Sequence, residues 1–268
     1  MVLKPEKTLG ILGGMGPAAT AEFLRLLSRD APARSDQEHP RMLLISEPSI
    51  PDRTKAILGL GDDPTSMLRY GLERLIEWGA EILAVPCNTA HHFINRFRGE
   101  LDVPLIHIIE ATVDAAAGKS PRGAWLLSTS GTRKSGLYPD YARKIGYRFL
   151  QPTDAQQDLV QKSLLEVKAG NLPEAGAVLR KVVEDLWRQE ETLVVTACTE
   201  LPLAYAVSGL PSNMEVSSLQ ALSDACLENL YGSAFRKKTD AELDPPAGRP
   251  NTFNLSLYCH AATDDFIF

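Results

Sequence analysis

Ile82-Leu83-Ala84-Val85-Pro86-Cys87-Asn88-Thr89 is an apolar run of strand length that ends on a cysteine and two polar residues. Leu193-Val194-Val195-Thr196-Ala197-Cys198-Thr199 repeats the pattern in the second half of the chain. Continuous apolar runs of this kind suit strands of a parallel sheet with both faces covered by helices. A cysteine placed where such a strand ends sits where α/β sheets hold their ligands, beyond the carboxyl edge.

Outward from these two runs, strands and helices alternate. Residues 8–12 read as a strand, followed by a helix from Ala18 to Leu27 opened by Pro17. Residues 42–46 form a second strand, and Asp63-Pro64-Thr65 starts a helix whose Met67, Leu68, Leu72, Leu75 and Ile76 recur at helical spacing. The strand over 81–86 leads into a helix through Phe97, and 105–109 is a fourth strand. Then come a strand over 124–128, helices over 139–145, 156–168 and 173–189, a strand over 192–196, and a late helix over 219–230. The order predicts an α/β protein with two pseudo-symmetric, doubly wound halves, each on a parallel four-stranded sheet, facing each other across a cleft. We assign 1–118 plus 209–233 to the first half and 119–208 to the second. The segment 234–268, with Pro245-Pro246-Ala247-Gly248-Arg249-Pro250, forms a tail without an assigned role.

Five segments put small or polar residues at strand ends: Gly13-Gly14-Met15-Gly16, Glu47-Pro48-Ser49, Cys87-Asn88-Thr89, Ser128-Thr129-Ser130-Gly131-Thr132 and Cys198-Thr199-Glu200. The first and fourth match each other as the third and fifth do, each a strand running into a glycine-containing turn. Met15, Asn88, Thr89, Thr129, Ser130, Thr132, Thr199 and Glu200 are therefore candidates to contact a ligand.

The bulk properties exclude several classes. The chain has 268 residues, 44% of them hydrophobic and 23% charged, enough for one large core or two modest ones. Its net charge of −6 has the wrong sign for non-specific nucleic-acid binding. No apolar run approaches the roughly 18 residues of a membrane span, and the opening residues lack a signal-peptide core, so a cytoplasmic location is expected. A chain this long needs no disulfide staples, and its four cysteines read as reduced thiols.

Two thiols on facing walls suit proton transfer at carbon. A single base returns a proton to the face it left, whereas inversion needs a second group on the opposite face. One thiolate accepts while one thiol donates, and the roles exchange in reverse. A free cysteine titrates at about 8.5, and a helix N-terminus after each strand is expected to lower that value. Asn88, Thr89, Thr199 and nearby backbone N–H groups are candidates to hold a carboxylate and the charge that develops on it.

These residues resemble the aspartate/glutamate racemases of the Asp/Glu/hydantoin racemase superfamily. The likeness rests on Gly10-Ile11-Leu12-Gly13-Gly14-Met15-Gly16-Pro17, Ile50-Pro51-Asp52-Arg53-Thr54, Pro86-Cys87-Asn88-Thr89-Ala90-His91, Ser130-Gly131-Thr132, Lys168-Ala169-Gly170-Asn171 and Cys198-Thr199-Glu200-Leu201-Pro202. The stretches occur in family order between about Thr8 and Gly232. The resemblance implies Cys87 and Cys198 as catalytic acid/base thiols and Arg53 and Lys168 as cations for the substrate carboxylates. It also implies a homodimer and no cofactor, pyridoxal phosphate included. Glu200 after Cys-Thr points to the aspartate-type branch, because similar glutamate racemases carry His there. The chain departs from the pattern at Ala197, where glycine is usual, and at Val216-Ser217-Ser218, where many relatives carry Asp.

On composition alone, Arg53 is a solvated loop arginine and Lys168 favours a helix C-terminus. The glycines of 13–16 lack a nucleotide-binding pattern and instead let the backbone approach a small carboxylate. His91 and His92 follow Cys87, but a zinc site usually takes about four ligands and no second pair is spaced to supply them, so no metal is expected. His107 reads as a core histidine, His39 as a loop residue without a partner, Cys226 as core, and Cys259 has no supporting context. Two other functions fit the same residues: an isomerase or decarboxylase of a dicarboxylate without an amino group, and a non-enzymatic binding protein for acidic amino acids.

Overall fold

The computed structural model describes residues 5–232 and Phe235. In the first half, β1 (Leu9–Gly13) leads to α1 (Pro17–Asp30), and β2 (Met42–Ser46) leads to α2 (Arg53–Leu58) and α3 (Thr65–Glu77). Next, β3 (Ile82–Ala84) leads to α4 (His91–Ile94), and β4 (Leu105–Ile106) leads to α5 (Ile108–Lys119). In the second half, β5 (Ala124–Ser128) leads to α6 (Ser130–Ser135) and α7 (Leu137–Lys144), and β6 (Phe149–Leu150) leads to α8 (Asp154–Lys168) and α9 (Leu172–Gln189). Finally, β7 (Val194–Ala197) leads to α10 (Leu201–Val207), and β8 (Glu215–Ser217) leads to α11 (Ser218–Tyr231).

Both sheets have four strands, in the orders β2-β1-β3-β4 and β6-β5-β7-β8, and every pairing among the described residues is parallel. The two orders are the same path walked twice. The central strands β1, β3, β5 and β7 are buried along their whole length, which is why they read as unbroken apolar runs. Local signals start the helices: Pro17 opens α1, Thr153 and Gln156 form a reciprocal capping box on α8, and the Ser217 hydroxyl accepts from the Gln220 amide at the head of α11.

The apolar residues form three clusters. One lies outside the first sheet, against α3 and α4, and another outside the second sheet, against α8, α9 and α10. The third is shared: Leu9, Ile11, Ile82 and Ala84 of one sheet and Ala124, Leu126, Val195 and Ala197 of the other pack on a common layer that includes α1, α5 and α11. Ala197 is fully buried there, so the core accommodates its methyl group.

Several boundaries differ from the sequence reading. Residues 209–233, assigned above to the first half, divide between the two: β8 hydrogen-bonds to β7 in the second sheet, and α11 packs on α1 and α5. The strand expected to reach residue 109 stops at Ile106, and α5 begins at Ile108. That helix sits between layers and carries apolar or small residues around most of its circumference, so it lacks an amphipathic stripe. The helix expected through Phe97 is the short α4, followed by a 3-10 turn at Arg98–Glu100. The tail assigned to 234–268, with Cys259, lies outside the described residues except for Phe235, which is buried in the shared core.

Candidate active site

In each sheet the chain turns one way after its first strand and the other way after its third, so the loops after β1 and β3, and after β5 and β7, border a topological switch point. All four loops reach one tight cavity. Met15 comes from the first, Cys87, Asn88 and Thr89 from the second, Thr129 from the third, and Cys198, Thr199 and Glu200 from the fourth. Asp52, Arg53 and Thr54 enter from the start of α2, and Lys168 from the end of α8. The two thiols thus occupy equivalent places in two equivalent sheets and line the same cavity. They are 6% and 5% exposed.

Glycine and threonine shape the walls. Gly14 has φ +90°, and a side chain there would meet the Glu47 backbone at 2.4 Å. The Gly14 amide donates to Thr20 Oγ1 at 2.9 Å, and that hydroxyl donates to the Gly16 carbonyl, closing the turn that presents Met15. Space at Gly13 is filled by Thr20. Gly13 and Gly14 therefore fit the fold around its own atoms rather than admitting a carboxylate, which corrects the sequence reading. Of the three glycines in this turn, Gly16 is the one that looks toward a charged side chain, with Glu200 Oε1 3.0 Å from where its Cβ would stand. Gly131 serves the opposite wall: a side chain there would strike the Thr54 backbone at 2.8 Å, so its absence lets α2 and α6 close on each other across the two halves.

The charges are arranged with opposite signs around the cavity. Arg53 is half-buried; its Nη1 donates to the Ile50 and Pro51 carbonyls at 2.9 and 3.0 Å and its Nη2 to the Met15 carbonyl at 3.2 Å. A guanidinium has about five N–H donors; the buried Nε of Arg53 is without a partner. Lys168 is exposed on the rim. Glu200 is 4% exposed: its Oε2 accepts from Cys198 Sγ at 3.0 Å and from Thr199 Oγ1 at 3.2 Å, while its buried Oε1 has no partner.

This environment overturns one expectation. A helix N-terminus was to lower both thiols, yet Cys198 is held well above the ordinary cysteine value. Burial is the largest cause, followed by the negative charge of Glu200 and its hydrogen bond to the sulfur; Lys168 pulls weakly the other way. The seven-residue α10 beyond it does not outweigh these effects. Cys198 keeps its proton.

Eight of the ten candidate binding residues line the cavity, though not all with free side chains. Asn88 Nδ2 donates to Ser218 Oγ at 3.0 Å and its Oδ1 accepts from Tyr138. The hydroxyls of Thr89, Thr129 and Thr132 form a ring with separations of 3.1, 2.8 and 3.1 Å. Thr132 lies behind Thr89, outside the cavity lining, and Ser130 is turned toward Gln161. Glu47-Pro48-Ser49 is likewise absent from the lining. His91 is fully buried and bonded through Nδ1 to the Cys87 carbonyl at 2.9 Å; burial depresses its basicity well below normal. His107 titrates at about 3 for the same reason and stands before α5 rather than in a strand. Cys226 is in the shared core. Among the described residues no group of three His, Cys, Asp or Glu is placed to hold a metal ion. Asp52 and Thr54 were missed, although Pro51-Asp52-Arg53-Thr54 was a recognised stretch. Asp52 caps α2 through the Lys55 amide, a local role that composition conveys, but its place on the cavity depends on how α2 is laid down.

Comparison with known proteins identifies the family. The Asp/Glu/Hydantoin racemase family model matches residues 12–221, and the chain belongs to that family of isomerases. The broad specificity amino-acid racemase RacX of Bacillus subtilis (strain 168) is 26% identical over 197 residues, covering 72% of this chain and 85% of that protein. The structure of Picrophilus torridus aspartate racemase superposes with a TM-score of 0.73 at 29% identity, covering 86% of this chain and 98% of that one. A glutamate racemase from Aquifex pyrophilus gives a TM-score of 0.53 at 26% identity, with 83% of each chain covered.

Proposed function

We propose that this racemase inverts acidic amino acids, aspartate before glutamate, by passing the α-proton between Cys87 and Cys198. One observation carries the reading: the cavity lined by both thiols is also lined by two residues of opposite charge, Arg53 and Glu200, each with a buried, unpartnered polar atom, Nε and Oε1. An unpaired buried charge is costly, and a bound zwitterion relieves both at once. Arg53 and Lys168 hold the two carboxylates, and Glu200 accepts from the ammonium group. That pairing favours an amino acid over a dicarboxylate without nitrogen, and the tight cavity favours the shorter side chain. Because Cys198 retains its proton, Cys87 is the base for the enantiomer that binds the resting enzyme. Cys198 then protonates the opposite face, and the other enantiomer uses the reversed pair. The proton needs only protein thiols, so the reading invokes no cofactor. A reducing cytoplasm suits thiols that must stay free, and among the described residues no helix is long and apolar enough to cross a membrane. For the homodimer implied by the resemblance, Ile45 of β2 and Met67 of α3, beside Tyr70, which is 60% exposed, are the apolar surface offered to a second copy.

Reduced protein incubated with L-aspartate in heavy water is expected to yield D-aspartate carrying deuterium at the α-carbon. Absence of both the D-isomer and α-deuterium would end the reading, and ligand-induced stabilisation without turnover would replace it with a binding protein.

Glu200→Gln separates charge from shape. It removes two of the causes that hold Cys198 protonated and leaves burial in place. The alkaline limb of kcat/KM reports loss of the last proton from the thiol pair, so it should move to lower pH, while KM rises as the ammonium loses its partner. A pH–rate profile with an unmoved alkaline limb would show that Glu200 does not govern the pair.

A further inference from the structure

The two residues that follow Cys87 both reach out of their own half. Asn88 and Thr89 belong to the loop after β3, yet Thr129, Thr132 and Tyr138, to which they bond, lie in the second half. Thr89 Oγ1 meets the hydroxyls of Thr129 and Thr132 at the head of α6. The Asn88 carboxamide is gripped at both ends, by Tyr138 Oη of α7 at 2.6 Å and by Ser218 Oγ at the start of α11. Two sulfurs supplied by different sheets flank one carbon only as accurately as these crossings set them.

Tyr138 is the unusual member. It is 0% exposed and among the largest fully buried side chains, with its ring edge-on to Phe149 at 5.8 Å between centroids. A buried phenol of this size needs an acceptor, and Asn88 Oδ1 is the one it takes. Burial pushes the phenol far above the ordinary tyrosine value, so it acts as a donor at any working pH. A permanent donor on Oδ1 removes the ambiguity of the amide: oxygen faces Tyr138, and nitrogen donates one hydrogen to Ser218 and keeps the other uncommitted.

We propose that Tyr138 is a positioning residue of the racemase site, acting through Asn88 to hold the Cys87 loop of one half in register with the second half that carries Cys198. The proposal rests on the two-thiol reading and adds to it a residue that touches neither substrate nor sulfur. Its effect is on kcat, because a displacement on the order of 1 Å at a reacting group costs about a hundredfold in rate. Ground-state binding by Arg53, Lys168 and Glu200 is left in place.

The test is a double-mutant cycle on the full chain with Tyr138→Phe and Asn88→Ala. Tyr138→Phe deletes one oxygen and keeps the ring against Phe149. We expect it to melt as a folded protein and to lose about 10- to 100-fold in kcat with KM within about threefold. In the Asn88→Ala background the same change should have no further effect on kcat. Wild-type kcat in Tyr138→Phe, or two losses that multiply, would overturn the proposal. Ser218→Ala, which releases the other end of the carboxamide, provides a second variant should Tyr138→Phe not fold. It is expected to lower kcat in the same direction, and an unchanged kcat there counts against the proposal equally. Alkylation of Cys87 by iodoacetamide, followed by peptide mass, needs no turnover. Its rate should shift severalfold in Tyr138→Phe even if the wild-type chain racemises nothing, a result that would sink the racemase reading alone. An unshifted rate would remove Tyr138 from the site.

Discussion

Cys198→Ala is expected to lose at least ~1,000-fold in racemisation while still exchanging the α-proton of one enantiomer of aspartate with deuterium from solvent. Cys87 remains to remove the proton from the face it meets, but nothing stands opposite to return one, so label enters without inversion. Cys87→Ala should lose racemisation to the same extent and wash label into the other enantiomer. The second exchange is expected to be the slower. Cys198 must shed its proton before it can act as a base, and burial together with the Glu200 carboxylate opposes that. The asymmetry belongs to the half-reactions alone. In the intact enzyme the two enantiomers have equal free energy, so kcat/KM must be equal in both directions at every pH, whatever the difference between the thiols. Nuclear magnetic resonance of the α-position with chiral chromatography reads both quantities from one incubation. Inversion retained by either alanine variant at more than a few per cent of wild type would rule out the paired-thiol mechanism.

The sequence shows the sulfurs more plainly than it shows their surroundings. Cys87 and Cys198 end apolar strands of matching composition, and both strands lie at the centre of their sheets, where burial on two faces demands unbroken apolar runs. Central strands and amphipathic outer helices are legible for that reason. The edge strands β6 and β8, of two and three residues, are too short to leave a periodic trace, and α5 is hidden because the layer it occupies covers it on both sides. At the site, the strand-end rule finds Met15, Asn88, Thr89, Thr129, Thr199 and Glu200, but it cannot say which hydroxyl faces inward. Thr132 turns back into the threonine ring and Ser130 toward Gln161. Nor can spacing reveal that burial, with Glu200 folded back on the sulfur two residues before it, raises Cys198 where a helix terminus alone would lower it. Ser217 caps the head of α11 through its hydroxyl, a role that serine fills as readily as aspartate. Tyr138 has no sequence signature at all. Its role appears only when a long-range pairing with Asn88 is seen.

Arg53→Lys is expected to raise KM for aspartate by about 100-fold, equivalent to ~2.7 kcal/mol, with a smaller fall in kcat. The ammonium keeps the charge but not the planar fork, and the two jobs of Arg53 need different parts of that fork. Its Nη atoms tie the Met15 turn to the Ile50-Pro51 loop, and its Nε, buried without a partner, is left for the ligand. Lys168 stands exposed at the rim, where water screens it, so Lys168→Ala should raise KM less, by about tenfold. Which carboxylate each cation holds follows from a second substrate. If Arg53 holds the side-chain carboxylate, Arg53→Lys should erase most of the preference for aspartate over alanine, since alanine has nothing to lose at that position. If it holds the α-carboxylate, both substrates should weaken together and the ratio should survive. Wild-type KM for aspartate in Arg53→Lys would leave the buried Nε as a structural orphan, and the case for an anionic substrate would then rest on the exposed Lys168, a position too well screened to select one.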